Sequence, residues 1–74
     1  MGTHAPEYRR FLARLKQARR DAGLTQIEVA RRLGKPQSYV AKCEGGERRV
    51  DVVELLAFAR IYRKPLGHFV GTRD

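Results

Sequence analysis

Cysteine is nearly absent from this 74-residue chain: Cys43 stands alone, and tryptophan does not occur. A single thiol cannot build an intramolecular disulfide framework, so nothing points to an oxidising compartment. With one cysteine and two distant histidines, His4 and His68, no spacing suits a metal site. No apolar run is long enough for a signal peptide or a membrane span, and the cytoplasm is the expected location. A nucleophile, base and orienting group in one recognisable set are also missing, so neither catalysis nor a cofactor is expected. Strand-like alternation and internal repeats are absent too.

Carboxylates are the other scarcity. Eight of them stand against twelve arginines and four lysines, a formal net charge of +8. Residues 1–24 carry six basic and two acidic side chains, residues 25–50 six and three, and residues 51–74 four and three. The positive field therefore lies on the first two-thirds, which suits a polyanionic partner; the plain alternative is a surface that is basic for solubility alone. At 74 residues the expectation is a single domain over 1–74, with a modest core ordered from about 6 to 70.

What the chain has in abundance is helical periodicity with clear stops. Met1–Ala5 shows none and reads as a frayed arm. Pro6 and Glu7 open a first helix in which Tyr8, Phe11, Leu12, Leu15, Ala18 and Ala22 recur on one face, until Gly23 ends it. Arg9, Arg10, Arg14, Lys16 and Arg20 occupy the other face, solvated or turned toward phosphate. Thr25 and Glu28 form a capping box for a second helix, with Leu24 and Val29 placed as its hydrophobic staple. Ile27, Val29, Ala30 and Leu33 supply the apolar stripe of that helix, and Gly34 provides the positive φ that stops it. Pro36 suits the first turn of a third helix that buries Val40 and Cys43, a small core residue. Gln37, Ser38 and Lys42 are left outward.

A glycine- and arginine-rich turn, Gly45–Arg49, follows. Asp51 and Glu54 make a second capping box, with Val50 and Leu55 as its staple. Val52, Val53, Leu55, Leu56, Ala59 and Tyr62 are expected to form the buried stripe of a fourth helix over roughly 52–62. Pro65 starts a short fifth helix carrying Leu66, Phe69 and Val70, and the last four residues read as loose. Five helices with short connectors predict a compact all-α domain, in which residues 24–46 are a helix-turn-helix.

These residues resemble the Xre/Cro family of phage-repressor-type helix-turn-helix regulators. The resemblance covers about residues 8–70 and rests on Gly23-Leu24-Thr25-Gln26, Ala30, Leu33-Gly34, Gln37-Ser38-Tyr39-Val40, Glu44, Gly46 and Asp51–Leu56. It implies a lambda-repressor-like fold and binding to double-stranded DNA. It further implies base contacts from Gln37, Ser38 and Lys42, a phosphate contact from Gln26, and pairing of Arg19 with Glu44. The residue chemistry agrees. A glutamine can pair bidentately with adenine N6 and N7, a serine suits several base edges, and Lys42 reaches guanine or a phosphate. The Gln26 amide can join helix-start N–H groups on a phosphate. Lys35 adds charge beside this surface, and the Tyr39 hydroxyl and Arg19 are further phosphate candidates. One of Arg48 and Arg49 is expected on phosphate, the other packed or paired with Glu47.

Three positions depart from the family pattern. Lys35-Pro36 leaves the third helix without a side-chain cap, Cys43 replaces a bulkier aliphatic residue, and Arg63-Lys64 stands where glycine commonly ends the fourth helix. One such module spans too few base pairs for genomic specificity, so a homodimer on a pseudo-palindromic site is expected. Tyr62, Leu66, Phe69 and Val70 are its candidate surface. The alternative is an antitoxin-like or co-regulator module that also docks a partner protein through that C-terminal surface.

Overall fold

The computed structural model describes residues 5–71. In chain order these residues form α1 (Pro6–Asp21), α2 (Gln26–Leu33), α3 (Gln37–Gly45), α4 (Val52–Tyr62) and α5 (Leu66–Val70), with no strand among them. The readings made for Met1–His4 and Thr72–Asp74, His4 included, lie outside the described residues.

Local chemistry accounts for where most helices start and stop. In α2 the Thr25 hydroxyl accepts from the Glu28 N–H at 3.1 Å, while the Glu28 carboxylate accepts from the Thr25 N–H at 2.8 Å. The same reciprocal pair opens α4, at 2.7 Å from the Glu54 N–H to Asp51 and 2.9 Å from the Asp51 N–H to Glu54. Each cap contributes about 1 kcal/mol. Gly34 ends α2 with φ of 69°, and a Cβ there would meet nothing, so backbone conformation alone demands glycine. Pro36 is the N-cap of α3 rather than a first-turn residue, and no side chain caps that helix. Arg63 ends α4 at φ 57°, the one described non-glycine residue with positive φ. An L-residue in that region costs about 1–2 kcal/mol, and the Lys64 N–H bonding Ala59 O at 3.0 Å holds it there.

The core gathers where α1 lies against α3, α4 and α5 and α2 packs on α3. Leu15, Val29, Val40, Cys43, Phe58 and Phe69 are fully buried there, joined by Phe11, Ala18, Ala30, Leu55, Ala59 and Tyr62. Leu24, Leu33 and Val50 are half-buried against it.

Several expectations need correcting. Ile27 is 55 % exposed, because Val29 and Ala30 define the inward face of the eight-residue α2. Val52 and Val53 are 69 % and 73 % exposed, since α4 first enters the core at Leu55. Ala22 caps α1 and is exposed. Tyr62, expected both in the buried stripe of α4 and on a pairing surface, and Phe69, a further candidate for that surface, are core residues. Tyr62 stacks on Phe58 with ring centroids 6.0 Å apart, and Phe69 meets His68 edge-on at 5.3 Å. Of the four candidates for that surface, Leu66 and Val70 alone are exposed. No described helix is long and apolar enough to cross a membrane.

Candidate nucleic-acid interface

Gln37 and Ser38 occupy the first turn of α3 and are exposed, as is Lys42 one turn on. Beneath them runs a chain of polar contacts linking three helices. Glu44, near the end of α3, is the one buried charged residue among those described. Its carboxylate accepts from Arg19 Nε at 2.7 Å and from Arg19 Nη2 at 3.2 Å, a two-pronged ion pair. Glu44 Oε1 also accepts from Gln26 Nε2 at 3.0 Å, and Gln26 Oε1 in turn accepts from Gln37 Nε2 at 3.0 Å. Arg19 Nη1 donates to the Leu24 carbonyl at 2.9 Å. The bond to Glu44, above all, raises the Arg19 guanidinium above its ordinary range.

The direction of this chain is imposed by chemistry. A carboxylate only accepts, so the Gln26 amide must turn its NH2 toward Glu44 and its carbonyl toward Gln37. Gln37 must then spend one N–H on Gln26. Its second N–H and its carbonyl oxygen are not used in that bond, and the residue is exposed.

The other expected site residues fall into two groups. Lys35 is exposed, with its ammonium 5.3 Å from the Tyr39 ring centre. Tyr39 is half-buried, stacks on Phe58 at 6.4 Å and carries the Arg48 guanidinium 4.8 Å from its ring centre. Burial, and next the neighbouring Cys43 and Glu54, push its phenol up to about 12. Arg19 has three of its N–H donors engaged internally, leaving at most two for a phosphate.

Neither turn arginine pairs with Glu47. Arg48 bonds Glu54 at 2.7 Å, and Arg49 lies 4.3 Å over the Tyr8 ring. The Arg48 contact, first, and then the Asp51 N–H hold the Glu54 carboxyl down to about 2. Arg48 therefore ties the turn to the cap of α4. The sequence offered Glu47 as the obvious neighbour; the usable signal was the capping box, which leaves one Glu54 oxygen free. The links from Gln26 to Glu44 and Gln37 went unforeseen, although both glutamines stand at helix starts. Cys43 is buried, and that burial, mainly, raises its thiol. No group of metal-ligating side chains exists among the described residues.

An exposed amide and hydroxyl on the second helix of a helix-turn-helix, braced from below on a basic chain, define a DNA-binding domain. The chain belongs to the helix-turn-helix family of Xre type, whose members are regulators rather than enzymes: the family model described as a helix-turn-helix domain matches residues 10–66. Among solved structures, the chain is similar to an XRE-family like protein from Pseudomonas syringae pv. tomato str. DC3000. The two are 43 % identical with a TM-score of 0.80, over 88 % of this chain and 79 % of that one. Comparison with curated proteins returns no match.

Proposed function

We propose that this chain is a cytoplasmic transcriptional repressor that reads a specific double-stranded DNA sequence by inserting α3 into the major groove. The observation that carries this reading is the bond from exposed Gln37 to Gln26 at the start of α3. Once one N–H is spent on Gln26 at 3.0 Å, a carbonyl and one N–H remain. That is the complement of adenine, whose N6–H donates and whose N7 accepts. Ser38 and Lys42 extend the readout along α3. Gln26 and Lys35 contact the flanking phosphates, and the excess positive charge supplies the salt-dependent part of affinity.

A single module covers ~4–6 base pairs, so two copies act together with recognition helices ~34 Å apart. The pairing face in this reading combines Val52, Val53, Leu66 and Val70, all exposed. A groove of about 510 Å³ beside it is lined by Tyr8, Phe11, Val50 and Leu55, with Glu7 and Asp51 near Arg49. These charges nearly cancel, so a second copy meets little of the repulsion that the +8 molecule presents elsewhere. Selection from a pool of random duplexes, followed by sequencing, tests the proposal. The expected result is an enriched motif with two-fold symmetry and adenine at one position of each half-site; a pool that stays random contradicts it.

A further inference from the structure

The basic face of α1 divides into two flanks with different surroundings. At 100° per residue, Lys16 and Arg20 share one flank, while Arg10 lies roughly 120° round the helix from Lys16. Lys16 and Arg20 border a groove of about 330 Å³ whose other walls are Leu12, Ala13, Gln17 and Glu44. Glu44 also carries the polar chain to Gln26 and Gln37, so the groove adjoins the proposed reading surface.

The charges in this groove are free to bind an anion. Among the described residues, no carboxylate pairs with Lys16 or Arg20. Asp21, the nearest acid on α1, is taken by Gln17 at 2.9 Å and by Lys64 at 3.9 Å. The negative charge of Glu44 is answered by the Arg19 fork beneath it, and its side chain is only 1 % exposed. By contrast, Arg14 on the far flank is half-buried and its guanidinium lies where a Cβ on Gly71 would fall.

We propose that the α1 groove is a second phosphate site, in which Lys16 and Arg20 grip the DNA backbone bordering the major groove that α3 enters. An i, i+4 pair has Cβ atoms roughly 5–6 Å apart, so both cations can address one short stretch of backbone. This inference rests on the DNA-binding reading and adds a track of contacts on α1 to those on α2 and α3. It assigns Lys16 and Arg20 to affinity, with no part in base choice.

The test is a salt series with the full chain and a mixed-sequence duplex, comparing the unaltered protein with Lys16→Gln, Arg20→Gln, the double variant and Arg10→Gln. All four changes fall on exposed positions, and thermal melting verifies that each variant folds. Each single change in the groove is expected to flatten the slope of log K against log salt by about 0.9, and the double variant by about twice that. Arg10→Gln should keep the unaltered slope. A double variant with an unchanged slope, or an Arg10→Gln loss equal to the groove variants, overturns the inference while leaving the base-reading proposal standing. Failure of the unaltered chain to bind any duplex at low salt overturns both.

Discussion

The two ends of this molecule are built on opposite terms. At the α2–α3 edge, polar side chains are held by other polar side chains: Arg19, Glu44, Gln26 and Gln37 pass hydrogen bonds from the interior to the surface. At the α4–α5 end, Val52, Val53, Leu66 and Val70 are exposed apolar side chains. The first arrangement fixes the orientation of single atoms, which is what distinguishing one base from another requires. The second offers area without orientation, which suits association with another apolar face. In the proposed function, specificity resides at one end and assembly at the other.

The contrast breaks most readily at its buried charges. Arg19→Ala leaves Glu44 unpaired inside the protein, and denaturant unfolding should register a loss of about 3–5 kcal/mol. A loss below 1 kcal/mol would mean that Glu44 is well solvated and anchors nothing.

Next in size is the clamp between the turn and α4. Glu54→Gln removes the charge that Arg48 holds, and the expected cost at neutral pH is about 1 kcal/mol. The folded Glu54 value, about 2, lies below its ordinary 4.5, so this stabilisation is complete above about pH 5 and fades as pH falls toward 2. The stability difference between the unaltered chain and the variant should therefore shrink over that window. A difference that stays constant down to pH 2 contradicts the assignment.

At the apolar end, Val53→Ser should change monomer stability by no more than about 0.5 kcal/mol, because the side chain is already in water. Sedimentation should nonetheless show weaker self-association; unchanged association would remove Val53 from the pairing face. Smallest of all is Arg63→Gly. Relief of the left-handed strain, partly offset by a more flexible unfolded chain, should stabilise the fold by about 0.5 kcal/mol, read as a slightly higher melting temperature.

How much of this was legible in the residues follows from the range of each interaction. Both capping boxes act over three residues, and both helix starts were read correctly. Gly34 marked a stop that only its φ requires. The apolar end was misread because VVELLAFARIY is apolar nearly all round, so its periodicity cannot choose which side faces inward. Tyr62 thus read both as a stripe residue and as a pairing candidate and is buried, while Val52 and Val53 looked buried and are not. Phe69, a candidate for the pairing surface, is buried; a five-residue helix is too short to display a face in its sequence. At the α2–α3 edge, the Arg19–Glu44 pair was implied by family resemblance. The Gln26–Gln37 bond joins residues eleven apart across a turn, and only the packing of α2 on α3 brings them together.

The claim at the centre of the account is that the amide of Gln37 selects a base. Affinities of the unaltered chain and of Gln37→Ala, measured on the selected site and on single-base variants of it, test this most directly. The account expects Gln37→Ala to lose about 1–3 kcal/mol on the selected site and to stop discriminating at one position per half-site. Discrimination retained at every position, or the same loss on every sequence, would contradict it.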